Sequence, residues 1–190
     1  MSKRNAKQSQ EANRGREYRA NFLRIKIISM GALGCGKSCL IKRYCEERFV
    51  SKYISTIGID YGVKPTTVGD KSVRVNFWDL SGHPDFFEIR NEFYRDAQGA
   101  ILVYDVTNRA SFAALDEWVE EGAKFGARGM PVVVCANKID KGKRLVSEDE
   151  GYNWAMERGF EYFETSAQSG ASVKEVFEVL FMRAVENLPS

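Results

Sequence analysis

Short apolar runs alternate with helix-type apolar repeats from residue 21 to the end of the chain. Runs of strand length occupy residues 22–30, 59–68, 72–79, 100–106, 131–136 and 161–164. Helical spacing is found near residues 37–47, 87–97, 110–124 and 147–158 and from Ser172 onward. This order predicts an α/β fold with a doubly wound, mostly parallel sheet of six strands, flanked by about five helices.

One pair of predicted strands is joined too tightly for a parallel crossover. The strands at 59–68 and 72–79 are separated by a short segment that contains Gly69 and Asp70, a dipeptide typical of hairpin turns. A parallel connection needs roughly a dozen or more residues. The strand at 59–68 is therefore expected to be the one antiparallel strand, at an edge of the sheet.

Length and composition fit one domain, predicted at residues 21–190. The chain has 190 residues, of which 44% are hydrophobic and 28% charged, enough for one α/β core. No run approaches the roughly 18 apolar residues of a membrane span, and the amino end lacks the apolar core of a signal peptide. A cytoplasmic location is expected, with the four cysteines as reduced thiols.

Residues 1–20 form a basic arm that is predicted to be disordered. Residues 1–19 carry six basic and two acidic side chains, a net charge of +4, whereas the whole chain carries +2. The remainder therefore carries −2, which argues against nucleic acid as a partner of the body. A solvated tail is favoured over a weak attraction to an acidic membrane or partner.

A phosphate-binding motif follows the first predicted strand. Residues 31–38 read Gly-Ala-Leu-Gly-Cys-Gly-Lys-Ser and match G-x-x-x-x-G-K-[ST]. The glycines let backbone N–H groups wrap an anion, while Lys37 reaches the β- and γ-phosphates and Ser38 ligates Mg²⁺. The alternative, a glycine-rich turn from strand to helix, needs none of this chemistry.

A second polar segment ends the strand predicted at 131–136, where Asn137-Lys138-Ile139-Asp140 follows the apolar run. Ligands of open α/β sheets bind at this carboxyl edge. The Asp140 carboxylate can accept hydrogen bonds from guanine N1–H and N2–H, a donor pair that adenine lacks, so GTP is favoured over ATP. Main-chain N–H groups in Thr165-Ser166-Ala167 are placed to meet the guanine carbonyl.

Two further segments complete a predicted magnesium and γ-phosphate site. Asp79-Leu80-Ser81-Gly82 follows an alternating strand, which places Asp79 to hold a magnesium-bound water and the Gly82 N–H to reach the γ-phosphate. Thr56 lies on the connection after the first helix and is expected to ligate Mg²⁺ only when a γ-phosphate is present. A purely structural loop threonine is the alternative.

With these motifs in order, residues from about 23 to the end resemble a Rab-like small GTPase of the Ras superfamily. Four segments narrow the resemblance to the RJL family, whose animal members carry a C-terminal J domain. These segments are residues 43–53 (Arg-Tyr-Cys-Glu-Glu-Arg-Phe-Val-Ser-Lys-Tyr), 56–63 (Thr-Ile-Gly-Ile-Asp-Tyr-Gly-Val), 82–84 (Gly-His-Pro) and 90–94 (Arg-Asn-Glu-Phe-Tyr). The chain ends at Ser190 without a J domain and is expected to be a form that lacks it or a shortened piece.

The resemblance implies GTP/GDP and Mg²⁺ as ligands. It implies that Phe49 packs beside the guanine, Tyr53 closes over the phosphates, Lys138 covers the base, and Asn137 ties the base-reading loop to the phosphate loop. The implied nucleotide-binding set is Gly31, Leu33, Gly34, Cys35, Gly36, Lys37, Ser38, Cys39, Phe49, Tyr53, Thr56, Gly82, Asn137, Lys138, Asp140, Ser166, Ala167 and Gln168. The implied metal ligands are Ser38, Thr56 and Asp79.

The predicted site departs from the family pattern at three positions, and the first two departures indicate slow hydrolysis with GTP binding retained. His83, the only histidine, stands where most small GTPases have the glutamine that orients the attacking water, and it is the candidate catalytic residue. Leu33 replaces a frequent glycine and would crowd a partner's arginine. Gln168 replaces the usual lysine and is expected to weaken guanine affinity modestly at most.

Two functions remain open at this point. One is a slowly hydrolysing GTP/GDP switch, and the other is a nearly non-hydrolysing, GTP-bound module that binds effectors and cycles by exchange. Asp140 disfavours a third class, an ATP-using P-loop kinase. The expected partners are effectors at residues 50–60 and 80–92, an exchange factor and an activating protein. A monomer is expected. Membrane contact is expected to be weak or indirect, since the end of the chain has no cysteine for prenylation.

Overall fold

The structure, a computed structural model, describes residues 22–49, 51 and 54–188. The predicted basic arm at 1–20 and the predicted site residue Tyr53 lie outside the described residues. The strands are β1 (Leu23–Met30), β2 (Ile59–Val68), β3 (Lys71–Leu80), β4 (Gly99–Asp105), β5 (Val132–Asn137) and β6 (Glu161–Thr165). They form one sheet in the order β2-β3-β1-β4-β5-β6.

The pairing confirms the predicted mixed sheet. β2 runs antiparallel to β3, from Ile59 opposite Leu80 to Val68 opposite Lys71, around the Gly69-Asp70 turn. The other neighbours pair in parallel. Because parallel strands end at the same edge, the sheet brings the residues after β1, β3, β4, β5 and β6 together.

Helices cover both faces of the sheet. They are α1 (Lys37–Glu46), α2 (Phe87–Asn91), α3 (Arg109–Ala113), α4 (Leu115–Lys124), α5 (Glu148–Glu157) and α6 (Val173–Glu186), and a 3₁₀ turn at Pro84–Phe86 precedes α2. Among the described residues, no helix combines the length and the apolar character that crossing a membrane requires.

Two apolar clusters, one on each face, form the core. The first packs α1 and α6 on the sheet around Ile27, Phe77 and Phe177. The second packs α4 and α5 on the opposite face around Ile28 and Tyr104. Helical spacing predicts a buried face on α6, and each of its predicted positions is buried: Val173, Val176, Phe177, Leu180 and Ala184.

Two predicted helices differ from the structure. The helix predicted near 87–97 ends at Asn91, because residues 92–96 form turns and Asp96 adopts a left-handed backbone with φ of 60°. The helix predicted at 110–124 is split at Ala114, whose ψ of −2° departs from helical geometry. The turns after Asn91 bring Tyr94 to a buried position, where its hydroxyl donates to Glu121.

Candidate functional site

A cavity of about 350 Å³ lies at the carboxyl edge of the sheet. Its volume falls in the range of ordinary small-molecule sites. Most of the predicted nucleotide-binding residues line it: Leu33, Gly34, Gly36, Lys37, Ser38, Cys39, Phe49, Thr56, Gly82, Asn137, Lys138, Asp140, Ala167 and Gln168. The walls thus join the loop before α1, the loop before β2 and the segments after β3, β5 and β6.

The remaining described candidates are not lining residues, but most of them contact the wall. The Gly31 carbonyl accepts from the Lys37 ammonium, and the Cys35 carbonyl accepts from the Asn137 amide. Asp79 and Ser166 hydrogen-bond lining side chains, as described below. The cavity is also lined by five residues that were not predicted: Lys42, Ser51, Ile54, Ser81 and Lys141.

The phosphate loop connects β1 to α1. Gly36 has φ of 103°, which favours glycine, and Lys37 is the first residue of α1. Lys37 is only 6% exposed, and its Nζ donates to the carbonyl oxygens of Gly31 at 2.8 Å and Ala32 at 3.0 Å. No ion pair is found for it within residues 22–49, 51 and 54–188. A buried cation held only by carbonyl dipoles fits an anionic ligand.

The three predicted metal ligands come together from three separate segments. The Ser38 hydroxyl, on α1, donates to Asp79 Oδ2 at the end of β3. Thr56 Oγ1, on the loop before β2, lies 2.9 Å from Ser38 Oγ and 3.4 Å from Asp79 Oδ2. Two hydroxyls and one carboxylate are hard oxygen donors of the kind that Mg²⁺ prefers. The donor set therefore fits a magnesium ion.

Ser29, which sequence analysis missed, lies behind Asp79. Ser29 Oγ donates to Asp79 Oδ1 at 2.6 Å and accepts from the Leu80 N–H at 3.1 Å. The signal was available in the sequence, because Ser29 is a hydroxyl residue within the apolar run of β1. The sheet register pairs it directly with Asp79.

In the Asn137–Asp140 segment, which is predicted to recognise the base, side chains are hydrogen-bonded to the rest of the fold. Asn137 is 1% exposed, and its Nδ2 donates to the Cys35 carbonyl at 2.9 Å. Its Oδ1 accepts from the Ala167 N–H and from the Thr165 hydroxyl, each at 3.3 Å. The Asp140 carboxylate accepts from the Ser166 hydroxyl. These bonds connect the ends of β5 and β6 to the phosphate loop.

Lys138 lies against the phosphate loop, and its partner Asp105 was not predicted. Lys138 Nζ donates to the Gly34 carbonyl at 2.6 Å and pairs with Asp105 Oδ2 at 2.7 Å. Burial raises the pKa of Asp105, but hydrogen bonds from Lys138 and from the Thr107 hydroxyl and N–H outweigh burial and leave that pKa below its usual value. Asp105 ends a buried strand just as Asn137 does, and that position was the available signal.

Gln168 is held through its backbone rather than its side chain. The Arg43 guanidinium, on α1, donates to the Gln168 carbonyl at 2.6 Å.

All four cysteines are free thiols, and burial raises the pKa of the Cys35 and Cys39 thiols. Neutral thiols make Cys39 a packing group of the wall and Cys35 a packing group of the core, rather than charged ligands.

Gly82 lies directly against the phosphate loop. A Cβ at this position would lie 2.5 Å from the Leu33 nitrogen and 2.7 Å from the Gly31 carbonyl oxygen. Only glycine permits that approach without a shift of the loop. The Leu33 side chain is 44% exposed and lines the cavity, in the position where the resemblance implies crowding.

His83 is not among the cavity-lining residues. Its Nδ1 accepts from the Asp85 N–H at 3.2 Å and caps the 3₁₀ turn at Pro84–Phe86. Its own N–H donates to the Ser81 hydroxyl at 3.3 Å. The imidazole is thus occupied as a cap, and its catalytic role stays a prediction.

A buried ion pair anchors the His83 segment to α4. Arg90 donates through Nε and Nη2 to the two oxygens of Glu121, at 2.6 and 2.8 Å, and through Nη1 to the His83 carbonyl at 3.0 Å. The guanidinium also lies over the Trp118 ring, 4.5 Å from its centre. The Tyr94 hydroxyl donates to Glu121 as well. This anchor was not predicted from the sequence.

A sequence profile of the Ras family matches residues 26–186. The chain belongs to the Ras family. Curated relatives named DnaJ homolog subfamily C member 27 are 56% identical over 170 residues in Rattus norvegicus, 56% over 165 residues in Danio rerio and 55% over 170 residues in Homo sapiens. These matches cover 86%, 84% and 86% of this chain but 62%, 60% and 62% of the relatives.

Membership of the Ras family accounts for the arrangement around the cavity. Ras-family GTPases bind GTP and GDP, and the chain has their P-loop fold with a six-stranded mixed sheet. The relatives confirm the predicted resemblance to Rab-like proteins of the RJL type. Since the chain spans about three fifths of the relatives' length, their activity as whole proteins does not transfer to it directly.

Proposed function

We propose that this Ras-family domain is a magnesium-dependent GTP/GDP switch with slow intrinsic hydrolysis. One observation carries the proposal: a single cavity joins a buried, carbonyl-bound Lys37 to the Ser38, Thr56 and Asp79 cluster at one end and to Asn137 and Asp140 at the other. A nucleoside triphosphate with its metal needs this order of phosphate, metal and base groups.

Guanine selection is assigned to Asp140. Its carboxylate accepts from Ser166, which fixes the side chain at the cavity wall. A fixed carboxylate has lone pairs left for the N1–H and N2–H donors of guanine. Each charge-assisted bond of this kind contributes about 1.5–3 kcal/mol, and adenine can form neither.

Mg²⁺ would be held by Ser38 and Thr56, with Asp79 behind them. When bound, Mg²⁺ neutralises charge on the β- and γ-phosphate oxygens. Among the residues that the structure describes, Thr56 hydrogen-bonds only to Ser38 and Asp79, and it belongs to a loop rather than a helix or strand. Together with Gly82, it is the group whose position would report the γ-phosphate.

Slow hydrolysis is assigned to His83 and Leu33. Because His83 Nδ1 accepts from the Asp85 N–H, the imidazole has only Nε2 left to meet a water, and Nε2 then serves as a hydrogen-bond donor. A glutamine amide offers both a donor and an acceptor to the attacking water. Leu33 stands where an activating partner's arginine would approach the γ-phosphate, a contact worth about 10³–10⁵ in rate in GTPases that use one.

The same two residues support a second candidate function. In that alternative, the domain hydrolyses almost no GTP and acts as a persistently loaded module that cycles by nucleotide exchange. The capped imidazole of His83 is the observation that favours it, because a side chain already used by the fold is less available to water.

Effector proteins are proposed to contact residues 50–60 and 80–92. Large apolar side chains are exposed there, with Ile54 68%, Ile57 81% and Ile89 50% exposed. Exposed apolar groups beside the γ-phosphate sensors suit a partner that distinguishes two states. An exchange factor, an activating protein, a monomeric state and a cytoplasmic location with weak or indirect membrane contact complete the proposal.

The test is competition of unlabelled nucleotides against a fluorescent GDP analogue, with Mg²⁺ or EDTA present. We expect GDP and GTP to compete, ATP to compete at least about 100-fold more weakly, and EDTA to accelerate release of the analogue. Equal competition by ATP would remove the guanine assignment. Release that does not respond to EDTA would remove the magnesium assignment.

A further inference from the structure

We propose that Ser29 is a positioning residue of the magnesium site, because its hydroxyl orients the Asp79 carboxylate. This inference rests on the proposed function, since it concerns the same metal. The relevant contacts lie between β1 and β3, beneath the cavity wall. Ser29 is 0% exposed and Asp79 is 5% exposed, so solvent does not replace the contact between them.

The direction of the Ser29 hydroxyl is determined by its two partners. The Leu80 N–H can only donate, so Ser29 Oγ must accept from it, at 3.1 Å. The single hydroxyl proton is then left for Asp79 Oδ1, at 2.6 Å. This distance is ordinary for an O–H···O hydrogen bond. The Ser29 hydroxyl is therefore a donor with one fixed target.

The two carboxylate oxygens of Asp79 have different partners, because the Ser29 hydroxyl donates to only one of them. Oδ1 faces Ser29, whereas Oδ2 accepts from Ser38 and lies 3.4 Å from Thr56 Oγ1. Without the Ser29 hydroxyl, Oδ1 would lose this partner, and the carboxylate could rotate about its last side-chain bond. Hydrogen-bond partners outside the direct ligands of a metal typically change metal affinity by about 10- to 100-fold when they are removed.

A purely structural role predicts something different. If Ser29 served only to satisfy the Leu80 N–H, its loss would lower thermal stability and leave the response to Mg²⁺ unchanged. The two roles are separated by a measurement that compares each protein with itself at different Mg²⁺ concentrations.

The experiment measures release of a fluorescent GDP analogue from the full chain as a function of free Mg²⁺. We expect Ser29→Ala to raise the Mg²⁺ concentration that gives half-maximal retention by about tenfold or more. Its release rate in EDTA should equal that of the wild type. The matched control is Ile28→Val, a buried core change on the same strand that removes no polar group.

Four results would overturn the inference. They are a Ser29→Ala midpoint within twofold of the wild type, an equal shift in Ile28→Val, a faster release by Ser29→Ala in EDTA, and a Ser29→Ala shift that persists in an Asp79→Ala background. The last follows because the effect must pass through Asp79 and should vanish in the double variant. A wild type whose release ignores Mg²⁺ would instead contradict the proposed function.

Ser29→Thr keeps the test decisive if the alanine variant does not fold. Threonine retains the hydroxyl, so its Mg²⁺ midpoint should stay within about twofold of the wild type even if the extra methyl group lowers thermal stability. A tenfold shift in Ser29→Thr would contradict the inference.

Discussion

The two ends of the cavity are built differently. At the base end, Asn137 forms three hydrogen bonds, to Thr165, Ala167 and the Cys35 carbonyl, and Asp140 accepts from Ser166. At the metal end, Thr56 comes from a loop, and within the described part of the chain its side chain hydrogen-bonds only to Ser38 and Asp79. Hydrogen bonds to neighbouring segments hold the base end, whereas the metal end takes one of its three groups, Thr56, from a loop.

The difference indicates how one cavity can combine tight binding with a change of state. Groups that are already fixed at the base end lose no conformational entropy when a guanine nucleotide binds. A loop group such as Thr56 can contribute to binding in one state and leave in the other, at a cost limited to a few contacts. We therefore expect changes at the base end to alter affinity and changes near the metal end to alter the response to the nucleotide.

The largest expected effect is at the base end, with Asp140→Ala. Loss of two charge-assisted hydrogen bonds should weaken GDP binding by about 3–6 kcal/mol, roughly 10²–10⁴-fold. Competition binding measures the change, and Asp149→Ala, an exposed aspartate on α5, is the control. Unchanged GDP affinity in Asp140→Ala would mean that the base end does not recognise guanine.

The next effect concerns the anchor of the His83 segment. Glu121→Ala leaves the Arg90 guanidinium, 7% exposed in its side chain, without its carboxylate partner. Removing one partner of a buried ion pair costs about 3–5 kcal/mol, so the melting temperature should fall by several degrees. Glu120→Ala, at an exposed position of the same helix, should leave the melting temperature unchanged. Equal melting temperatures for both variants would show that the anchor is not stabilising.

A smaller effect is expected for His83→Gln. The amide presents both a donor and an acceptor, and single-turnover GTP hydrolysis should rise by about tenfold, or ~1.4 kcal/mol of barrier. GDP affinity should not change, because His83 does not line the cavity. If hydrolysis does not rise, His83 is not the group that limits the rate.

The smallest expected effect is the pH dependence of the stability that comes from the ion pair between Asp105 and Lys138. The pKa of Asp105 is lowered in the folded state from a reference value of 3.8, so the Asp105 contribution to stability is present above about pH 4 and is lost as pH falls through the lowered pKa. Asp105→Asn should therefore melt below the wild type at about pH 7, and the gap should narrow toward about pH 3. A gap that stays constant with pH would contradict the ion pair with Lys138.

Much of the fold was predictable because strand-length apolar runs alternate clearly with segments in which apolar residues have helical spacing. Buried strands such as β4 are continuous apolar runs, and the tight turn at Gly69-Asp70 gave the antiparallel strand. The end of α2 at Asn91 was not predictable, because the following residues turn so that Tyr94 can reach Glu121. That contact joins residues 27 apart in the sequence and leaves no local signal.

The site was predictable where backbone motifs carry the chemistry and not where single side chains support them. The phosphate loop and the Asn137–Asp140 segment were identifiable from spacing alone. Ser29 and Asp105 were missed because each is one polar residue in or after an apolar strand. Their roles depend on which strand lies alongside, and that is known only from the register.

The most direct test of the account is to release the bound nucleotide by heating protein purified from cells and to identify it by chromatography. We predict a guanine nucleotide, with GDP in excess if the domain completes hydrolysis despite His83 and Leu33. Mostly GTP would favour the nearly non-hydrolysing module. An adenine nucleotide would contradict the assignment of Asp140 and with it the central claim that this cavity is a guanine-nucleotide site.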